Sequence, residues 1–262
     1  MTNSFLFAFT LTSITGLATC LGSLLLLFLK QKNFNFLSFI LAFSAGIMIY
    51  VSLFALLPES INILKQATPT LTTYLTSLFS LILGIIIGYM IEKYINHKNA
   101  EKNFSIASES AEKTTLLKTS ALVAITLAVH NFPEGLATFI SAISNSQTTY
   151  PVMLSMALHN IPEGIAVAMP VFYITGSKKK AFIYSLLSGL IEPVGAVFGY
   201  VFLNTLINHG NVGIIFSLIA GIMIFVSLET LYSLIKKHKQ IHQMIGGLLS
   251  AILITLITFL TF

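Results

Sequence analysis

Long apolar segments separated by short polar ones form the pattern of this chain. Eight apolar runs can be marked, at about residues 5–29, 36–58, 71–94, 116–140, 150–174, 181–204, 212–235 and 243–262. Each run has the length of a helix that crosses about 30 Å of hydrocarbon at about 1.5 Å per residue. Strands of a membrane barrel would instead alternate over about ten residues. The pattern therefore predicts an all-α integral membrane protein with eight transmembrane helices.

The composition supports this prediction and argues against a nucleic-acid partner. The mean hydropathy is +0.89 and 9% of the residues are charged, whereas about a quarter are charged in soluble domains. The formal net charge is +5, but the lysines lie in short groups between apolar runs and the chain contains no arginine. The guanidinium group that reads bases and phosphates is therefore missing. Cys20 is the single cysteine, which excludes an intrachain disulfide.

The lysines also predict how the chain is oriented. With eight spans, 13 of the 14 lysines fall on one side of the membrane, and Lys65 alone falls on the other. Positively charged loops stay in the cytoplasm, so both termini are expected on the outer side. We expect one polytopic domain over residues 1–262, with a short, flexible cytoplasmic loop at about 95–115.

The most informative stretch is a doubled motif inside two neighbouring apolar runs. His130-Asn131-Phe132-Pro133-Glu134-Gly135 recurs 29 residues later as His159-Asn160-Ile161-Pro162-Glu163-Gly164. Ionisable side chains are costly in a membrane, so each is a functional hypothesis. Residues at i and i+3 or i+4 share a helix face, and a short loop makes the two helices antiparallel neighbours. The motifs therefore predict an intramembrane metal site.

The prolines and glycines of the motifs indicate how such a site could release its ion. Pro133 and Pro162 donate no backbone hydrogen bond, which predicts kinked helices with free carbonyls at the level of the site. Gly135 and Gly164 are expected to loosen the helices further. Glu192, followed by Pro193, is a lone carboxylate in the sixth run and is expected to share the ion. The candidate metal ligands are His130, Asn131, Glu134, His159, Asn160, Glu163 and Glu192.

This ligand set contains imidazole, amide and carboxylate groups and no thiolate. Imidazole suits zinc and iron, while oxygen ligands suit harder ions such as manganese. We expect moderate affinity, which favours transport over storage.

Two other glutamates in or near the apolar runs can each be explained in two ways. Glu59 is an entrance residue or a solvated helix end, and Glu229 lines an exit path or reaches the interface. Met48 and His97 are more simply explained by packing and by solvation.

The two HNxPEG motifs, Glu192, and the flanking stretches Leu56-Leu57-Pro58-Glu59 and Thr175-Gly176-Ser177-Lys178 resemble those of the ZIP family of divalent-metal transporters, in its bacterial ZupT-like branch. The resemblance covers essentially the whole chain. It implies a multi-pass transporter of the bacterial inner membrane that imports zinc, iron(II), manganese or cobalt into the cytoplasm. The metal ion is then the transported substrate, and no prosthetic group is expected.

The resemblance also implies how the ligands are divided between two metal positions. One position would use His130, Glu134, His159 and Glu163. The other would use Asn131, Glu134, Asn160, Glu163 and Glu192, so that Glu134 and Glu163 bridge. The family further implies a bundle containing the fourth and fifth helices that slides against a scaffold, and it is compatible with a homodimer.

Two other classes of function remain open at this point. An intramembrane metal-dependent hydrolase would need a metal-bound water and a general base. The HExxH order of zinc proteases is absent, because each helix offers HxxxE. A carrier of protons or organic solutes could use the glutamates as relays, although the paired histidines and asparagines argue against it.

Overall fold

The computed structural model describes residues 2–26, 34–103, 129–144, 149–206, 209–238 and 241–261, and these residues are helical apart from short turns at 66–69, 144, 176–177 and 190. The helices are α1 (Thr2–Leu26), α2 (Phe34–Val51), α3 (Leu57–Lys65), α4 (Thr70–Asn103), α5 (129–143), α6 (Thr149–Thr175), α7 (Lys178–Gly189), α8 (Ile191–Leu206), α9 (His209–His238) and α10 (Ile241–Thr261). Helices satisfy their backbone polar groups internally, which hydrocarbon requires. The predicted all-α membrane class is confirmed.

Seven segments within the described ranges are long and apolar enough to cross a membrane. They correspond to every predicted run except 116–140, which is described only from residue 129 onward. The eighth span and the side of the termini therefore stay predictions. Helix α4 continues to Asn103, so the first part of the predicted loop at 95–115 is helical. The rest of that loop lies outside the described residues.

The second span is longer than its apolar run and contains a widened turn. Residues Ser52–Leu56 form a π-helical turn in which the backbone N–H of Leu57 donates to the carbonyl of Ser52, five residues back. Pro58 follows directly and cannot donate a backbone hydrogen bond, which disturbs the regular ladder at this point. The span then continues through α3 and covers Asn35–Lys65 instead of ending near residue 58.

The sixth span is divided into α7 and α8 just before Glu192. Leu190 forms the turn between the two helices, and its N–H donates to the carbonyl of Leu186 at 2.9 Å. Pro193 has no N–H to offer to the carbonyl of Gly189, four residues earlier. The break places Glu192 in the first turn of α8, where the unpaired backbone N–H groups favour negative charge.

The helices form two packed groups that meet along α2. Helices α1, α6, α7 and α8 contact one another, and α5 joins them where Gly195 faces the carbonyl of Phe132. Helices α2, α4, α9 and α10 form the second group through the pairs α2–α10, α4–α9 and α2–α9. Helix α2 also packs against α6. Both HNxPEG motifs therefore lie within the first group, close to the helix that joins it to the second.

Candidate metal centre

The predicted ligands lie in the interior of the helical bundle. Asn131, Glu134, His159, Asn160 and Glu192 are fully buried, and Glu163 is 5% exposed. His130 is only partly buried. Buried ionisable groups need partners or an ion to offset the loss of hydration. This burial distinguishes the motif residues from a solvated helix surface.

Three of these residues form a compact cluster of potential ligand atoms. One ligand atom each from Glu134, His159 and Glu163 lies within 4.8 Å of the others. The Nε2 atom of His159 lies 2.9 Å from Oε2 of Glu134, which joins α6 to α5. The antiparallel arrangement of the two motifs is further supported by Thr149 at the start of α6, whose hydroxyl donates to the carbonyl of Ser141 at 2.8 Å. His130 is close enough to Glu134 and His159 to interact with them electrostatically, but it is not part of the compact cluster.

Glu192 and Asn160 are held together by hydrogen bonds that also involve α1. The hydroxyl of Thr15 lies 2.6 Å from Oε2 of Glu192 and 2.8 Å from the carbonyl oxygen of Thr12, so the two acceptors share its one hydrogen. The side-chain amide of Asn160 donates to Oε1 of Glu192 at 2.5 Å and to the carbonyl of Thr15 at 2.8 Å. Because the side-chain nitrogen of Asn160 makes both of these hydrogen bonds, its Oδ1 atom remains available as a ligand. Both oxygens of Glu192 already accept hydrogen bonds, so Glu192 would have to exchange a partner to bind a metal ion.

Asn131 has the corresponding arrangement on α5. Its side-chain nitrogen donates to the carbonyl of Ser188 at 3.2 Å. Its Oδ1 atom has no hydrogen-bond partner among the described residues. The two motif asparagines are thus oriented by their nitrogens, and both leave an oxygen for other contacts.

Five buried motif atoms that can donate a lone pair lack a hydrogen-bond partner in the described part of the chain. They are His130 Nδ1, Asn131 Oδ1, Glu134 Oε1, Asn160 Oδ1 and Glu163 Oε2. A buried acceptor without a partner loses its hydration without compensation. A divalent cation is the partner that a set of imidazole, amide and carboxylate lone pairs fits. The donor chemistry of the cluster therefore suits a metal ion.

The motif glycines allow the close helix packing that brings these ligands together. A Cβ atom on Gly135 would collide with the backbone carbonyl of Glu192, and one on Gly164 would collide with the carbonyl of Thr19. The sequence interpretation that these glycines loosen the helices is therefore replaced by one of close approach. Helix α6 runs from Thr149 to Thr175 without interruption through Pro162.

Sequence reasoning missed the hydroxyl groups around the cluster. The Oγ atom of Ser44, on α2, lies 2.8 Å from Nδ1 of His159. The hydroxyl of Thr15 contacts Glu192 as described above. The available signal was weak, since a serine or threonine in an apolar run usually bonds to its own helix. Met48, the residue of α2 considered from the sequence, lies in the apolar core with Ile47 and Val51.

The other residues singled out from the sequence lie outside the compact cluster. Glu59 is partly buried in the first turn of α3. Glu229 accepts a hydrogen bond from Ser233 at 3.4 Å on α9. The side chain of His97 lies outside the described residues. The roles considered for these three residues stay predictions.

Comparison with known proteins agrees with this picture. A family model described as ZIP Zinc transporter matches residues 96–258. Three curated relatives are named zinc transporter ZupT. The protein from Streptococcus mutans is 43% identical over 97% of both chains. That from Clostridium perfringens is 39% identical over 99% of this chain and 97% of its own, and that from Chlorobaculum parvum is 38% identical over all of both.

The fold and the buried cluster define an integral membrane protein with a candidate metal site between its helices. The family match and the full-length relatives then identify it further, and the chain belongs to the ZIP family of divalent-metal transporters. The predicted family, multi-pass inner-membrane location and transporter class are confirmed. The alternative of an intramembrane hydrolase is not favoured, because the matched family consists of transporters and not enzymes.

Proposed function

We propose that the protein imports zinc, and with it iron(II), manganese and cobalt, across the inner membrane into the cytoplasm. The ions would pass through a site formed by His130, Asn131, Glu134, His159, Asn160, Glu163 and Glu192. The observation that supports this most directly is the buried cluster of Glu134, His159 and Glu163 within 4.8 Å. The mixed nitrogen and oxygen donors support the wider range of ions, because neither ligand type alone selects one of them.

The unpartnered oxygens support a site with two metal positions. Glu134 and Glu163 each have one oxygen without a hydrogen-bond partner in the described part of the chain, and the two glutamates can bridge two ions. The imidazoles would complete one position. The Oδ1 atoms of Asn131 and Asn160, with Glu192, would complete the other. Glu192 would give up its bond to Asn160 or Thr15 when it binds.

The direction of transport is inferred from charge. Lysine-rich segments face the cytoplasm in membrane proteins, so the lysine distribution supports an orientation with both termini outside. The energy for import would then come from the gradient of the ion and from the membrane potential, which is worth about 2.3 kcal/mol per elementary charge at 100 mV.

Zinc uptake by intact cells that lack their own zinc importers tests the activity and its direction together. We expect the wild-type protein to raise the initial rate of uptake well above that of cells without it. Glu134→Gln, which keeps the shape of the side chain and removes its charge, should reduce uptake to the background level. Glu92→Gln is the matched control, because it removes a partly buried carboxylate of α4 that lies outside the compact cluster, and it should keep most of the activity.

Two results would contradict the proposal. Uptake by Glu134→Gln equal to wild type, at equal amounts of protein in the membrane, would refute the site. Faster loss of zinc from preloaded cells, without faster uptake, would refute the direction.

A further inference from the structure

The hydroxyl of Ser44 makes an unusual contact for a serine in a membrane helix. Its Oγ atom lies 2.8 Å from Nδ1 of His159 and 3.5 Å from the carbonyl oxygen of the same residue. Some other buried hydroxyls return to a carbonyl four residues earlier in their own helix, as Ser52 does to Met48 and Ser227 to Met223. Those of Ser60 and Ser185 donate to backbone carbonyls of other helices. Ser44 instead reaches a candidate metal ligand on another helix.

The backbone around Ser44 is held firmly in place. A Cβ atom on Gly46 would lie 2.7 Å from Cβ of Ala251, and one on Gly247 would collide with the carbonyl of Phe39. Helix α2 is therefore in close contact with α10 on both sides of Ser44. The side chain of Ser44 is itself 6% exposed. The hydroxyl thus comes from a fixed position in the second helix group and contacts a residue of the first group.

His159 is held at both ring nitrogens. Its Nε2 atom lies 2.9 Å from Oε2 of Glu134, while Nδ1 faces Ser44. A neutral imidazole carries one proton, so one nitrogen donates and the other accepts. When Nε2 donates to Glu134, Nδ1 accepts from the Ser44 hydroxyl. When Nε2 binds a metal ion, it carries no proton, and Nδ1 then carries the ring proton and donates to the Ser44 oxygen.

A hydroxyl can serve both arrangements without moving, because it has one donor hydrogen and two acceptor lone pairs. An amide nitrogen could only donate, and a carboxylate could only accept. Partners of this kind fix the ring orientation of metal-binding histidines, and their loss typically costs about 10- to 100-fold in metal affinity.

We propose that Ser44 is a positioning residue for zinc transport, which holds the His159 ring so that Nε2 faces the metal position both before and after the ion binds. This inference rests on the proposed function of the cluster. A residue of the second helix group would then directly affect the metal affinity of the site in the first group. Ser44 itself contacts the ring and not the ion.

The test compares the concentration dependence of zinc transport in purified protein reconstituted into liposomes. Ser44→Ala should raise the KM for zinc by about tenfold or more, while the maximal rate stays within about twofold. Ser52→Ala is the matched control, because it removes a buried hydroxyl from the same span that bonds only to its own helix. It should leave the KM within about twofold. Ser44→Thr keeps the hydroxyl and should restore the wild-type KM.

Zinc binding to the detergent-purified proteins, measured by calorimetry, gives a second readout that does not depend on transport rates. Ser44→Ala should weaken binding by the same factor as it raises the KM. An unchanged KM and affinity in Ser44→Ala would overturn the proposal. An equal change in Ser52→Ala would overturn it as well, because the effect would then come from general helix stability.

The same experiments separate this inference from the function on which it rests. If Glu134→Gln abolishes zinc binding while Ser44→Ala behaves as wild type, only the role of Ser44 is wrong. If Glu134→Gln binds and transports zinc normally, the metal site itself is wrong. A loss of maximal rate in Ser44→Ala without any change in KM would also refute positioning.

Discussion

Gly135→Ala should separate α5 from α8 and disable transport while the protein still folds. The added Cβ atom would lie 2.5 Å from Cα of Glu192 and 2.6 Å from its carbonyl carbon, against at least 3.4 Å for an ordinary contact. The two backbones must therefore move apart by at least about 0.9 Å, because the carbonyl oxygen of Glu192 lies closer still to the added atom, and overpacked cores accommodate only small shifts. All three of these atoms of Glu192 belong to the backbone, so only a backbone shift can relieve the clash.

The consequence for Glu192 can be worked out from its hydrogen bonds. The contact between Thr15 and Glu192 measures 2.6 Å, and if α8 moves away from α1 by this amount, the distance grows to about 3.5 Å, beyond the normal range. Overpacking itself costs about 1–3 kcal/mol. A misplacement of about 1 Å in a functional group can cost about 100-fold in rate. We therefore expect zinc transport to fall by about 10- to 100-fold, with a modest loss of stability.

The assay is zinc uptake into liposomes together with the thermal unfolding midpoint of the purified protein. Gly246→Ala is the matched control, because its Cβ would meet the Phe39 ring at 3.6 Å, an ordinary contact. Both substitutions give the same gain in helix propensity, so the comparison isolates the steric effect. Gly135→Ala with wild-type uptake and an unchanged unfolding midpoint would refute the close-approach role of the motif glycine.

Two further predictions concern the site and the orientation of the chain. Thr15→Val removes the hydroxyl that donates to Glu192 and should weaken zinc binding by about tenfold and shift the preference between zinc and manganese in competition uptake. Thr12→Val on the same helix, whose hydroxyl bonds only to Ala8, should change neither, and identical behaviour of the two variants would contradict the prediction. Alkaline phosphatase fused to the C-terminus should be active, since the lysine distribution predicts that this end lies outside, whereas a fusion directly after Lys180 should be inactive. The opposite pattern would contradict the predicted orientation of the chain.

Much of the fold could be predicted from the sequence because hydrocarbon restricts the chain so strongly. Apolar runs of the required length can only be helices in a membrane, and seven of them are found in the described residues. The π-helical turn at Ser52–Leu56 and the continuation to Lys65 were not predictable in the same way. Both depend on which backbone hydrogen bonds replace those that Pro58 prevents, and several local helix geometries allow such a replacement.

The cluster of Glu134, His159 and Glu163 was predictable because helix periodicity and a short connection bring repeated motifs to the same depth. The hydroxyls of Ser44 and Thr15 were not, because a serine or threonine side chain can turn to its own helix or to a neighbour. Which of these occurs is decided by side-chain orientation and helix packing. The role of Gly135 was misread for the same reason, since close approach requires knowledge of the opposing backbone.

The bond between His159 and Glu134 has a consequence for how long an ion stays. The two side chains are 2.9 Å apart and fully buried, so an ion that binds at the proposed site would compete with a contact that these side chains already make with each other. Hydrogen bonds to charged groups are worth about 1.5–3 kcal/mol, which corresponds to about 10- to 100-fold in the dissociation constant. A ligand set that partly satisfies itself sets a ceiling on affinity and shortens the dwell time of each ion. A transporter benefits from this, because its turnover rate depends on the release of the bound ion.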